Sequence, residues 1–263
     1  MQRKVSIPMK FVLFLLVFFC LSVVAMDVPG PSSVPVLVEL FTSEGCSSCP
    51  PADSLLQKLD TQPVAGAQLI VLSEHVDYWN QIGWKDPYSS AVFSDRQSAY
   101  ARRFGGGTVY TPQMIVDGTQ EFVGSDGHEA QKAIEKARSI KKLPVNISNA
   151  SIATSGTLHA RVDIPVLPES LHSKSADVFI VTALNHAESQ VLRGENEGRR
   201  LSHVAVVQGV TKVGSLNKIK NFAEDLYVKV DSSSQAENLR VVVFVQESGS
   251  GRILGAALQR LRN

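Results

Sequence analysis

Between residues 36 and 142 the spacing of apolar positions changes period several times. Val36 to Phe41 is a short run of β-branched, aliphatic and aromatic residues, the pattern of a buried strand. "ADSLLQKLD" then places Leu55, Leu56 and Leu59 at helical spacing, and "AQLIVLSEHV" predicts a second strand. "FSDRQSAYARRF" predicts a helix capped by Ser94 and ended by Gly105-Gly106-Gly107. "PQMIVDGTQEFVG" predicts a hairpin turning at Asp117-Gly118. "DGHEAQKAIEKARSIKK" predicts a closing helix with Ala130, Ile134 and Ala137 on one face. The order β-α-β-α-β-β-α predicts a small sheet with helices on both sides.

Beyond Pro144 the pattern changes. "VNISNASIA", "TLHARVDI", "DVFIVTALNHA", "SHVAVVQGV", "LYVKV", "LRVVVFVQE" and "RILGAALQ" are strand-like segments at short intervals, with turn residues between them. That spacing predicts a β-sandwich over 145–263, and the chain length suits two modest domains meeting near Lys142 to Val145.

The opening segment stands apart from both. Arg3, Lys4 and Lys10 precede the apolar run Phe11 to Phe19, and Val23-Val24-Ala25 supplies small or modest residues where a signal peptidase reads. Together they predict a secretory signal over 1–25, in preference to an uncleaved anchor, and hence a periplasmic or secreted protein. A lipid-modified Cys20 is disfavoured by the bulky Phe19 before it. Cleavage would remove Cys20 and those basic residues, leaving Cys46 and Cys49 as the cysteines of a near-neutral chain. Without a basic run the sequence offers no electrostatic footprint for nucleic acid, and after cleavage it has no long apolar span.

The chemistry concentrates in "ELFTSEGCSSCPPAD". Zinc needs two further ligands of matching kind, and neither a second cysteine pair nor a closely spaced histidine pair supplies them. A structural disulfide gains stability with the size of the loop it closes, and this loop is very small. Redox exchange fits the setting better. The motif opens a helix, where free N–H groups and the dipole favour a thiolate, and Pro50 and Pro51 suit a first turn that needs no N–H donors. Cys46 is expected to be exposed at the helix start, with Cys49 further in.

Strand, C-x-x-C, helix, strand, helix and then Thr111-Pro112 before a hairpin resembles the thioredoxin superfamily. The resemblance implies an α/β thioredoxin-like domain over 26–144, followed by the all-β sandwich-like domain. It also implies that Pro112 is a cis-proline lying against the disulfide, beside Thr111. Glu39, the one charged residue within Val36 to Phe41, corresponds to the buried acid that deprotonates the second thiol, although one extra residue separates it from the motif; a solvent-facing or paired carboxylate is the alternative. Ser47-Ser48 replaces the Gly-Pro of ordinary thioredoxins. More narrowly, "HVDYWNQIGWKDPYSS", "FSDRQSAYARRFGGGTVYTPQMIVDG" and "LRGENEGRRLSHVAVV" resemble a family of exported bacterial thioredoxin-like proteins of unknown function.

The expected activity is thiol–disulfide exchange with a protein or small thiol through a mixed disulfide, with Cys46, Cys49, Pro112 and Glu39 as the catalytic set and no bound cofactor. Trp79, in the aromatic loop after the second strand, is expected either to wall the substrate groove with Thr111 or to pack that loop onto the body. Glu44, close to Cys46, would disfavour a thiolate there. One alternative is copper delivery through Cys46, Cys49 and His75. Another is a non-catalytic adaptor. Glu195, Asn196, Arg199 and His203 form a dense polar set at a Gly-flanked turn, read as a brace between domains, a partner edge or a plain turn.

Overall fold

Nine residues of strand β1 (Val34–Thr42) pair in parallel with strand β2 (Ala67–His75), connected by helix α1 (Pro50–Thr61), in this computed structural model, which describes residues 1–2, 33–171, 173–231 and 235–261. The predicted leader lies outside the described residues apart from 1–2. Helix α2 (Ala91–Arg103), the hairpin β3 (Gln113–Val116) and β4 (Gln120–Val123), and helix α3 (Gly127–Arg138) complete the first half. Each expected element is present, with one change at α2. The helix begins earlier than predicted and Ser90 caps it, its hydroxyl accepting from the Val92 N–H. Ser94, the predicted cap, pins the loop after β2 by exchanging two hydrogen bonds with Asp77.

Apart from one 3-10 turn at Ala236–Asn238, the regular elements described in the second half are strands: β5 (Asn146–Ala153), β6 (Thr157–Ile164), β7 (Ser175–Gln190), β8 (Arg200–Asn217), β9 (Phe222–Lys229), β10 (Leu239–Glu247) and β11 (Ile253–Arg260). Their arrangement overturns the predicted fold class. Strands β7, β8, β10 and β11 do not build a separate sandwich. They extend the sheet of the first half into one mixed, eight-stranded sheet in the order β11-β10-β7-β8-β2-β1-β3-β4. Strand makes up 45% of the chain and helix 18%, so an α/β thioredoxin-like domain followed by an independent β domain does not describe it. Residues 32–263 form one compact unit across the expected boundary at 142–145.

The seam is β8 against β2, parallel through Ser73 and Val206. Among the described residues β5, β6 and β9 stand apart, as a three-stranded sheet. Its inner residues, among them Leu158, Val162, Phe222 and Leu226, pack on Val241, Val243 and Val245 of β10. The alternate residues Val242 and Phe244 face the other way, onto Leu37, Ile70 and Phe93. Every residue of β10 is therefore buried, since both faces of the strand are covered.

Polar anchors cross from one half to the other. The Arg240 guanidinium, fully buried, donates to both oxygens of Asp60 at 2.7 and 3.0 Å and to the Asn185 carbonyl at 2.8 Å. Arg260 donates to the same carboxylate. Lys142 meets the buried Asp117 at 2.5 Å, and Asp117 also accepts from the Leu37 N–H.

Burial alone would raise the pKa of Asp60, but hydrogen bonds from Arg240 and the charges of Arg240 and Arg260 hold it below the usual carboxylate value. The stabilisation it gives is complete above the unfolded-state pKa of about 3.9 and is lost only as pH falls through the lower folded value. Asp60→Ala strands the Arg240 charge in the interior and should cost roughly 3–5 kcal/mol, read by urea denaturation at pH 7. The difference between wild type and variant should narrow as the pH is taken down through the acid range; a constant difference down to pH 2 would refute the ion-pair account.

Candidate functional site

The cysteines sit where β1 leaves the sheet and α1 begins. Cys49 is the N-cap of α1, its carbonyl accepting from the N–H groups of Ala52 and Asp53, while Pro50 and Pro51 fill the positions that need no donor. The Cys46 N–H is bonded to the Ser43 carbonyl and the Cys49 N–H to the Cys46 carbonyl, so a tight turn brings the two residues to a Cα separation of 5.4 Å, joined as a disulfide. Ser48 Oγ lies 3.3 Å from Cys46 Sγ.

Cys46 is not exposed as expected. Both cysteines are fully buried, while Ser47 and Ser48 between them face solvent. Two segments close over it. On one side the aromatic loop packs so near that a Cβ on Gly45 would lie 3.2 Å from that of Trp79. On the other, Asn196 reaches in from the turn between β7 and β8. Its side-chain amide donates to the carbonyls of Glu44 at 2.8 Å and Cys46 at 2.9 Å. Glu195 accepts from the Ser47 N–H at 2.9 Å, and hydrogen bonding from the Ser47 side chain and backbone lowers its pKa.

Glu39 goes elsewhere. The β1 residues Val36, Val38 and Leu40 face α1, so Leu37, Glu39 and Phe41 face α2. There the Glu39 carboxylate accepts from Arg96 Nε at 2.7 Å and from the Tyr100 hydroxyl at 2.6 Å. Glu74 is buried beside it, 3.5 Å from Arg96. Burial, opposed by Arg96 and reinforced by Glu39, pushes the Glu74 pKa well up. This network braces the α2 face and is not brought to the cysteines.

The acids that flank the motif are Glu44 and Asp53. Glu44 is fully buried; its carboxylate accepts from Trp84 Nε1 at 2.8 Å and from the Ser189 hydroxyl. Asp53 accepts from the Thr42 hydroxyl at 3.1 Å. His203, on β8, stands between them, 3.3 Å from Glu44 and 3.8 Å from Asp53. Burial would lower the His203 pKa, but Asp53 and Glu44 outweigh it and carry it up to about 10, so the ring is an imidazolium at neutral pH.

His75 packs edge-on against the His203 ring at 4.7 Å and is bonded through Nδ1 to Asp86 Oδ2 at 2.7 Å. Asp86 also accepts from the Glu44 N–H, and these partners overcome the effect of burial to hold its pKa low. His75 is thus committed to Asp86. Among the described residues no three His, Cys, Asp or Glu side chains are arranged to hold a metal ion.

Thr111-Pro112 is cis and the Thr111 hydroxyl accepts from Trp79 Nε1 at 2.7 Å. Gly124 is wedged beside Pro112 and Ala52: a Cβ there would lie 3.1 Å from the Pro112 side chain and 3.3 Å from that of Ala52. Trp79 and Glu44 therefore adjoin the cysteine motif directly, while Thr111 is joined to it through Trp79 and Pro112 lies on the Ala52 side of α1. The structure adds Asp53, Asp86, Ser189 and Thr42, which the sequence analysis passed over; Asp53 lies one helical turn from Cys49, a spacing that could have marked it.

Because the folded pKa of His203 lies above its unfolded value near 6.5, its stabilisation is complete below that value and is lost as pH rises towards 10. Thermal midpoints of the wild type should fall over this interval, and His203→Gln should flatten the dependence. An unchanged slope in the variant would exclude His203 as its source.

A crystal structure of a protein from Agrobacterium tumefaciens superposes with a TM-score of 0.64 at 28% identity, covering 89% of this chain and all of that one. HBP35 of Porphyromonas gingivalis superposes with a TM-score of 0.63 at 16% identity, covering 87% of this chain and 76% of that one, a likeness of fold alone. No curated protein sequence matches the chain. The family model described as "Protein of unknown function (DUF1223)" matches residues 37–246, a span that takes in both the cysteine motif and His203, and the chain belongs to that family.

Proposed function

We propose that the Cys46–Cys49 pair performs thiol–disulfide exchange with proteins or small thiols in an oxidising, extracytoplasmic compartment. The observation that carries this reading is the disulfide itself, placed at the first turn of α1 where the helix dipole favours a thiolate. A purely structural bond is poorly motivated here. It closes a three-residue separation whose ends the Ser43, Cys46 and Cys49 backbone bonds already hold, and the loop-entropy gain is only about 2 kcal/mol. The motif's resemblance to redox sites of the thioredoxin superfamily, together with the cis Thr111-Pro112 bond that the resemblance implies, supports the same reading.

The exchange balances without a cofactor. A thiolate of a substrate dithiol attacks Cys46 Sγ, the Cys46–Cys49 bond breaks, and Cys49 leaves as a thiolate that takes up a proton. The substrate's second thiolate then attacks its own sulfur in the mixed disulfide, and Cys46 departs as the second thiolate. Two electrons pass from substrate to protein, and the same steps run backwards oxidise the protein. Cys46 is assigned the outer role because the exposed Ser47-Ser48 link and the Ser48 hydroxyl adjoin it.

One observation favours a second reading: both cysteines are buried, as suits an inert staple in an adaptor. The two readings part on trapping. Cys49→Ser, expressed as the exported form, should accumulate covalent adducts on non-reducing electrophoresis that vanish when Cys46 is also replaced. A wild-type disulfide that resists reduction below about −300 mV, together with an absence of adducts, would establish the staple.

A further inference from the structure

We infer that the turn between β7 and β8, residues 194–199, is a removable cover over the disulfide, which must lift before Cys46 can react. This rests on the exchange reading for its purpose, but the cover is argued from geometry alone.

The turn differs from an ordinary hairpin end. Its Val191 N–H is bonded to the Arg199 carbonyl and its Gly198 N–H to the Val191 carbonyl, so it is closed on itself. Glu195, Glu197, Gly198 and Arg199 are exposed, as turn residues usually are. Asn196 among them is buried, 1% exposed, because it is driven into the motif. Arg199 donates to the Asn196 carbonyl oxygen at 2.8 Å, which fixes the amide with its NH2 group pointing at the carbonyls of Glu44 and Cys46.

The cover is also seated between two walls. A Cβ on Gly194 would stand 3.3 Å from the Trp84 side chain, so the turn rests on the aromatic loop as well as on the motif. What holds it down is small: two hydrogen bonds from Asn196 and one to Glu195, the last in an exposed position. Gly194 at φ 81° and Gly198 at φ 78° bracket Asn196, so the segment can swing at both ends in backbone regions that other residues avoid.

The groups released on lifting are two carbonyls, one N–H and one amide, all of which water can satisfy. The cost of opening is then the net worth of a few hydrogen bonds. Such a cost belongs to local opening within a folded molecule.

The test is the rate at which dithiothreitol reduces the Cys46–Cys49 bond under native conditions. Asn196→Ala removes both carbonyl bonds and should speed reduction roughly 10-fold, as expected for the loss of about 1–2 kcal/mol of closure. Glu195→Ala, at an exposed site that does not threaten folding, should speed it by a smaller factor and carries the test if the first variant fails to fold. Low concentrations of urea should leave these rates unchanged, because the opening is local. Equal rates in wild type and both folded variants would overturn the cover.

Trapping with Cys49→Ser in the same backgrounds separates the two ideas. Faster reduction without adducts retains the cover and rejects exchange; adducts at equal rates with and without Asn196 retain exchange and reject the cover.

Discussion

One imidazolium holds the motif in place. Glu44 precedes the disulfide and Asp53 follows it, and both are withdrawn from water in a way that isolated carboxyl groups do not tolerate. The cation between them, His203, comes from β8, about 150 residues further along the chain by the same measure that separates Asn196 from Cys46. The loop between β1 and α1 therefore depends, for its partner in the folded molecule, on the strand that pairs with β2. The single sheet and the buried motif are one consequence: the strand that completes the sheet is also the strand that neutralises the site.

Much of this was written locally in the sequence and little of it globally. Periodicity marked the strands and α-helices of the described residues, because side-chain period depends on local backbone geometry. It could not say which edges pair, since two strands with the same alternation look alike whichever neighbour they choose. One signal did bear on the question. "LRVVVFVQE" shows no polar alternation over Val241 to Val245, and a strand with a solvent-facing side should. That run belongs to a strand covered on both faces, as β10 is.

Glu39 shows a different limit. Its parity with Leu37 and Phe41 was readable, and so was its separation from the face of Val36, Val38 and Leu40. Which face α1 would cover was not, because the crossover between β1 and β2 leaves no mark in the residues that face it. The structure puts α1 on the valine side and α2 on the other, and Glu39 meets Arg96 and Tyr100 instead of a thiol. Arg96 in turn lies over the rings of Phe244 and Tyr100, and Gln246 bonds the Tyr100 hydroxyl, so this acid serves the junction between α2 and the C-terminal strands.

The site that results has a rigid floor and a light roof. Beneath the disulfide, removing any one of Glu44, Asp53 or His203 leaves a charge or polar group without its partner in a region closed to water, where the penalty is that of desolvation. Above it, Asn196 and Glu195 can exchange the protein for solvent at the modest cost of a few hydrogen bonds. Electrostatics therefore fixes where the sulfurs are, and hydrogen bonds of modest strength decide when they are seen. A pair of cysteines that is fully buried in its resting state is for that reason compatible with exchange, provided that the opening is borne by the turn and not by the cluster under it.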